Sequence, residues 1–521
     1  MTGAARRDLL LLLAGSLLLF GAALGAHDLW NPNEPIYGEA VKEMHARGSL
    51  LVPYVNGLPF GEKPILSFWL GLVASSLLGS VSETSVRMPS VLAGTSIVIL
   101  TYLLVLPYAG RGRALAAATF TLTTYQVWWV STTLQMDVLV AAATIGVIVP
   151  LTRVLDFGLA PWKGWSLAGL AAGLGFLAKG PVAWICPALV IGTYAAFSSK
   201  LRALMTPAIA LGAAVAFVIA VPWFLALAMT GHADVLHEVL IRQNFQRFTN
   251  PWDHVAPFWY YVPYVFIDMA PYAFFAVLAV RLPREDDGER RLARLAWVWI
   301  AAIVVFFSFS KSKRDPYIVP IAPAVAVLAM EVLSGTRRRR AVTAIALTLA
   351  AGLIGAGLYL SARVAPKYPD ATTTGRWLAA TAVIGGVFLG LNAFRNRRVA
   401  LALPALCAAV YLVVAVFVLP ALDVYKSARP LTEAIAAMAG DSKVASYNFW
   451  EWRSEYRYYL DRPIENLTTL DALREAWSAP ERLVLLVEGS RLAIARTVIG
   501  DRAPALTRAV GSQTLYVFTN R

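Results

Sequence analysis

The chain has 521 residues, 58% of them hydrophobic and only 15% charged, with a mean hydropathy of +0.60. So little polar surface excludes a soluble globule of this size and points to a polytopic membrane protein. The net charge of +14 is carried by short basic clusters between apolar runs, a pattern that orients a protein in a bilayer and argues against nucleic acid as a partner.

Apolar runs of spanning length occur near 9–26, 89–108, 113–132, 136–155, 163–178, 181–198, 203–229, 258–280, 294–309, 316–334, 341–361, 377–394 and 399–420. A shorter run occupies 64–79. The clusters Arg6/Arg7, Arg111/Arg113, Arg153/Lys163, Lys200/Arg202, Arg281 to Arg294, Arg337 to Arg340 and Arg395 to Arg398 all lie on the cytoplasmic side only if 64–79 does not cross. The expectation is an all-α body over 1–423 with about thirteen crossings and a first outer loop, 27–88, that holds a juxtamembrane or re-entrant helix. The first run also reads as a signal peptide, ending in small residues at Ala26; its cleavage would leave the rest of the topology unchanged. An uncleaved span is the favoured expectation, because such a protein needs insertion and not release. Cys186 and Cys407 both sit in apolar runs, so they read as packing residues, and no disulfide framework or cysteine-based metal site is available.

From Val424 the pattern becomes mixed. LTEAIAAMAG has the spacing of an amphipathic helix, while KVASYN, RLVLLVE and TLYVFTN read as strands, so 424–521 is expected to be a small α/β domain on the periplasmic side.

Everything polar and unusual in the apolar body falls on one expected face. The first loop contributes Asn33, Glu34, Glu62 and Lys63, and TLQMDVLV contributes Asp137. Lys179 stands in FLAKGPV, Arg242, Arg247 and His254 in the loop before PFWYY, and Lys311, Lys313 and Tyr317 in SKSKRDPYIVPIAP. Ionisable groups at membrane depth cost roughly 2.5–3.5 kcal/mol each on insertion scales, so their gathering on one side predicts a water-accessible cavity. Lysines and arginines supply donors and positive charge for phosphate oxygens, and carboxylates beside them orient hydroxyls, bind metal or accept a proton. A phosphorylated substrate and a nucleophilic partner suit both halves.

NPNEPIYGEAVKEM, followed by VPYVNGLPFGEKPILSFWL, resembles the first-loop signature of the aminoarabinose transferases that modify lipid A. Those belong to the polyprenyl-phosphate-sugar-dependent membrane glycosyltransferases, which also include protein O-mannosyltransferases. QMDVLV, LAKGPV, NFQRF, PFWYY, SKSKRDPYIVPIAP and SEYRYYLDRPI continue the likeness in order along essentially the whole chain. The resemblance implies a GT-C type fold in the bacterial inner membrane with a periplasmic active site. It implies inverting transfer of a sugar from undecaprenyl phosphate to a lipid, glycan or protein acceptor, lipid A favoured, with membrane lipids as surroundings and no nucleotide cofactor.

Carried over position by position, the likeness assigns Tyr37, Lys63, Lys179, Arg247, Lys313 and Tyr317 to the lipid phosphate, and Glu62 and His254 to a zinc-like divalent metal site. Two ligands are an incomplete set where zinc usually takes four. The family's first-loop aspartate and arginine are here Asn33 and Ile36. An amide is no general base, so that role passes to Glu34 or Asp137, or to an acceptor that is already an anion; Asn33, Glu34, Asp137 and Lys63 form the expected catalytic set. Plainer readings stand beside these. Asn33 before Glu34-Pro35 is a good helix start, with Ile36, Tyr37, Ala40, Val41 and Met44 as the apolar stripe of a helix lying on the membrane. Glu62–Lys63 reads also as an interfacial ion pair, Asp137 as a cap, Lys179 as a turn marker and PFWYY as an interfacial aromatic belt. A catalytically inactive lipid-phosphate-binding protein is the rival function; a transporter would show internal repeats and midplane charges, which this sequence lacks.

Overall fold

The computed structural model describes residues 3–246, 253–280, 282–284, 286–395 and 398–521. The expected residues Arg247, Arg281 and Arg397 lie outside the described residues.

The body is a bundle of apolar helices. Among the described residues eight helices are long and apolar enough to cross a membrane, or nine if Phe258–Asp268 and Ala273–Ala279, bent by 106°, make one span. The lower count than the sequence suggested has local reasons. Gly3–Gly21 carries Arg6, Arg7 and Asp8 in its first turns, and Val182–Phe197 has only 16 residues. The stretch Glu83–Leu122 combines two expected runs that turn at Gly110, whose φ of 78° suits a residue without Cβ. Ser82 starts this helix with a reciprocal capping box to Ser85.

The basic clusters meet at one end of the bundle. Arg111 pairs with Asp8 at 2.5 Å, Arg113 with Glu289, and Lys200 with Asp156 at 2.6 Å, while Arg294 donates to the Phe197 carbonyl at 3.3 Å and Arg337 to that of Pro283 at 2.9 Å. The first loop and the C-terminal domain occupy the opposite end.

There the Glu34–Arg47 helix ends on Gly48 in a left-handed cap, and the expected juxtamembrane run is the Leu66–Leu78 helix. The apolar stripe of Glu34–Arg47 faces protein and not lipid. Ile36, Tyr37, Ala40, Val41 and Met44 are all buried, and Val41 comes so close to Gly71 of the second helix that a Cβ there would lie 2.9 Å from its methyl. A stripe that matches a neighbouring helix at this distance gains dispersion contacts that disordered lipid chains do not match.

Strands β1 Tyr54–Val55 and β2 Leu58–Pro59 pair in the first loop, and the C-terminal domain has a five-stranded sheet in the order β4-β3-β5-β7-β6: β3 Lys443–Tyr447, β4 Glu465–Leu467, β5 Leu483–Glu488, β6 Leu506–Val510 and β7 Gln513–Thr519. β3 pairs in parallel with β4 and β5, whereas β7 runs antiparallel to β5 and β6. The uninterrupted LVLL of β5 occupies the centre, buried on both faces, as its composition predicts. The amphipathic helix is Arg429–Ala439.

Polar bonds dock this domain on the first loop. Arg457 reaches Glu39 at 3.0 Å and Glu43 at 3.2 Å, Lys42 meets Asp461 at 2.8 Å, and the Leu29 amide donates to the Tyr459 hydroxyl at 2.6 Å. Arg429 bridges Asp28 and Glu83, and Ser427 donates to Asp28 at 2.5 Å. SEYRYYLDRPI thus serves as the domain's foot.

Candidate active site

At the docked end the helices Asp137–Phe157 and Pro161–Lys179 pack so closely that a Cβ on Gly175 would lie 2.6 Å from that of Ala143. Asp137 is the first residue of one helix and Lys179 the last of the other, each at the end whose dipole favours its charge. The two side chains form an ion pair, and the Lys179 ammonium also lies 4.5 Å from the Tyr317 ring centroid. Asp137 makes no side-chain bond at its helix start, where Met136 holds the cap position.

The pair lines an inner cavity of about 300 Å³. Glu62, Lys63, Arg314, Tyr37 and Tyr317 belong to its polar part, and Val140, Ile185 and Phe306 form an apolar part toward the bundle. Lys63 donates to its neighbour's carbonyl at 3.1 Å and lies 4.0 Å from the Glu62 carboxylate, with both side chains mostly sheltered. An outer cavity of about 600 Å³ shares Tyr37, Glu62, Lys63, Gln243 and Arg314 with the inner one. It adds Asn33, Ile36 and His254, and Trp450 to Trp452 of the C-terminal domain form its roof. Asn33 precedes its helix without a capping bond from its side chain.

Two expected site residues have other partners. Glu34 lines neither cavity: it is 5% exposed and receives two bonds from the fully buried Arg87, at 2.8 and 2.9 Å, and one from the Leu134 amide at 2.8 Å. Burial alone would raise its pKa, but Arg87 outweighs that and lowers it, so the carboxylate stays charged and fully engaged. Lys313, 4% exposed, donates to the carbonyls of Ala256 at 3.2 Å and of Ser310, tying two loops together. Burial lowers its pKa.

The residue beside it does face the cavity. Ser310, Ser312 and Arg314 all line the inner space, whereas Lys311 and Lys313 do not, because alternate residues of an extended strand point to opposite sides. Ser312 pairs with Val255 as a β-bridge, and Arg314 has extended backbone angles. Burial works against the Arg314 charge, but Asp137, Tyr37 and Tyr317 more than offset it and raise the pKa. Period-two reading of SKSKR was the signal for Arg314; for Arg87 it was a cation two residues ahead of the apolar run 89–108.

Glu62 and His254 both line the outer cavity, with Asp253 3.8 Å from the His254 ring. Among the described residues, however, no group of three or more His, Cys, Asp or Glu side chains converges to hold a metal ion. Glu62 and His254 by themselves are two donors, short of the four that a zinc ion usually takes.

A family model for dolichyl-phosphate-mannose-protein mannosyltransferases matches residues 62–225. The chain is 31% identical over 328 residues to an undecaprenyl phosphate-alpha-4-amino-4-deoxy-L-arabinose arabinosyl transferase of Pectobacterium carotovorum, a match that covers 61% of this chain and 57% of that protein. To the transferase of the same description from Pseudomonas aeruginosa it is 30% identical over 371 residues, covering 70% of this chain and 66% of the relative. The chain is a homologue of these arabinosyl transferases. The matches span less than two thirds of those relatives' length. The crystal structure of ArnT from Cupriavidus metallidurans bound to undecaprenyl phosphate has the same fold, with a TM-score of 0.78 at 22% identity over 98% of each chain. With that homology the multi-pass membrane character stands.

Proposed function

We propose that the protein is an inverting glycosyltransferase that moves a sugar, aminoarabinose by the analogy of its relatives, from undecaprenyl phosphate to a phosphorylated lipid of lipid A type. The observation that carries this reading is the joined cavity in which Asp137, Lys179, Lys63 and Arg314 converge above an apolar throat. Ile185, 38% exposed on the outside of the bundle, marks a lateral opening through which a polyprenyl chain leaves for the bilayer.

In this reading the lipid phosphate sits among Lys179, Lys63 and Arg314, and the sugar extends toward the outer cavity. An acceptor oxygen attacks the anomeric carbon from the face opposite the phosphate; the bond from that carbon to the phosphate oxygen breaks, and the electron pair leaves on undecaprenyl phosphate. Three cationic side chains fixed before the reaction stabilise that charge without reorganisation. A phosphate acceptor is already an anion, so the amide of Asn33 is no obstacle: it orients and does not deprotonate. Asp137 holds Lys179 in place and supplies a proton acceptor for a hydroxyl acceptor. Glu34, through Arg87 and the Leu134 amide, fixes the segment that leads into Asp137.

The orientation proposed with it places the basic end in the cytoplasm of the inner membrane and the cavities and C-terminal domain in the periplasm, with thirteen crossings once Gly3–Gly21, Pro161–Lys179, Val182–Phe197, the bent pair Phe258–Asp268 with Ala273–Ala279 and both halves of Glu83–Leu122 are counted and Leu66–Leu78 is not. The test is sugar transfer by the purified protein from undecaprenyl-phosphate-linked aminoarabinose to lipid A, read by mass spectrometry. Product in the wild type, lost in Asp137→Asn, supports the enzyme. A folded wild type that binds undecaprenyl phosphate and makes no product identifies the inactive binding protein that Asn33 makes the alternative.

A further inference from the structure

The turn that roofs the outer cavity comes from the C-terminal domain, between β3 and the helix Glu455–Leu460. Its backbone is fixed from several sides. The Arg453 amide donates to the Trp450 carbonyl at 2.8 Å, and the Asn56 side chain of the first loop donates to the carbonyls of Glu451 at 2.7 Å and of Arg453 at 3.1 Å. Asn466 accepts the Phe449 amide at 2.9 Å and donates to its carbonyl at 2.8 Å, and the Trp452 ring meets Phe60 edge-on with centroids 5.0 Å apart. Two side chains on this fixed turn have no such duty. Trp450 is 53% exposed and packs on no ring among the described residues, and Glu451 is exposed and makes no ion pair among them. Both line the cavity. An open indole face beside an open carboxylate is the pair of groups that holds an organic ammonium.

The charge of the two joined cavities changes along their length. In the inner one Lys63, Lys179 and Arg314 stand with Glu62 and Asp137. Among the described residues the outer one adds four carboxylates, those of Asp234, Glu238, Asp253 and Glu451, against Arg242 and His254. Arg242 is bonded to Glu238 at 3.0 Å, and His254 lies 3.8 Å from Asp253, which leaves Glu451 open. A space that is cationic at its inner end and anionic at its outer end suits a ligand with a phosphate at one end and a cation at the other. The 4-amino group of a pyranose lies across the ring from the anomeric carbon. With the anomeric phosphate among Lys63, Lys179 and Arg314, that amine points to the roof, where a neutral sugar would gain nothing from the charge.

We propose that Trp450 and Glu451 are the residues that select the donor sugar: the indole face and the carboxylate together take its ammonium, so that the C-terminal domain reads the sugar while the membrane body holds the phosphate. This rests on the reading of a lipid-linked amino sugar as the donor and adds to it which residues tell that sugar from a neutral one. Asn56 and Phe60 act through the turn, as positioning residues that keep both side chains over the cavity.

The test uses the full-length protein in detergent, with binding measured by native mass spectrometry for three probes: undecaprenyl-phosphate-linked aminoarabinose, the same lipid with its amine acetylated and therefore neutral, and undecaprenyl phosphate alone. The wild type is expected to bind the amino sugar at least about tenfold more tightly than the acetylated one, equivalent to roughly 1.4 kcal/mol. Glu451→Gln, an isosteric change on an exposed side chain, should bring the two within about twofold of each other, and Trp450→Ala should weaken amino sugar binding about threefold. Undecaprenyl phosphate binding should stay unchanged in both, which also shows that each variant is folded. A wild type that does not distinguish the two sugars overturns the proposal, as does a preference that survives both substitutions. An equal loss for all three probes overturns it too, because the turn would then serve the lipid or the fold. If the preference depends on Glu451 but the wild type never transfers sugar, the activity reading fails and the amine seat stands. If both variants transfer aminoarabinose with an unchanged KM for the donor, the seat fails and the activity stands.

Discussion

Two ion pairs, Arg87 with Glu34 and Lys179 with Asp137, show how the same charges serve different ends. Arg87 is fully buried and spends its donors on Glu34 and on the carbonyls of Leu24, His27 and Asp28. Glu34 in turn accepts the Leu134 amide. Nothing in that pair is left for a ligand. Lys179 and Asp137 keep 19% and 13% of their side chains exposed, and both line the inner cavity. The first pair is a strut and the second a site, and what separates them is whether protein groups have already used the hydrogen-bonding capacity.

The comparison breaks most sharply if Arg87 is removed. Arg87→Ala leaves Glu34 buried and uncompensated, a loss of about 3–5 kcal/mol; we expect little folded protein in detergent, measured by size exclusion and thermal unfolding. Substituting the other pair should do the reverse. Asp137→Asn and Lys179→Ala are expected to lower kcat for sugar transfer by about 100- to 1,000-fold, the scale of losing a preorganised electrostatic partner, with Tm close to that of the wild type. A large fall in Tm with proportionate loss of activity would make that pair a strut as well.

Two neighbours in the SKSKR segment sharpen the same distinction. Arg314→Met should raise the KM for the lipid-linked donor about tenfold, whereas Lys313→Met should leave it within about twofold and lower Tm instead. Equal KM effects would contradict the alternation that turns one into the cavity and the other away.

The smallest effect is expected where the first loop meets the C-terminal domain. Burial pushes the Glu39 carboxyl up to about 7, aided by Glu43 and opposed by Arg457. A carboxyl whose pKa is higher in the folded state favours folding most below its ordinary value of about 4.5, and that contribution is lost as pH rises through 7. Thermal unfolding should therefore shift down by roughly 2–4 °C between pH 5 and 8, and Glu39→Gln should flatten that slope. A wild-type Tm that rises over this interval would reverse the assignment.

Much of the architecture was legible because bilayer and sheet impose strong periodicities. The apolar runs are helices, the Leu66–Leu78 helix is too short to span, and KVASYN, RLVLLVE and TLYVFTN are strands. β4 and β6 went unread: β4 is three residues long, and LTRAV of β6 is mixed in character, so neither carries a pattern strong enough to identify a strand. Within the site, Asp137, Lys179, Lys63, Glu62, Tyr37 and Tyr317 were all named from the sequence and share one cavity. Glu34 and Lys313 were named too, but Arg87 and the Ala256 carbonyl that engage them lie 53 and 57 positions away, and no local pattern announces them.

The sequence by itself determined that this chain is a helical membrane protein, which end of it gathers the polar residues, and which relatives it has, because hydropathy, charge clusters and motifs act over short stretches. Only the tertiary structure decided which charges remain open to a ligand. Whether a buried cation is a strut or a phosphate partner depends on the hydrogen bonds that distant segments have already made to it, and those exist only once the helices and the C-terminal domain are packed.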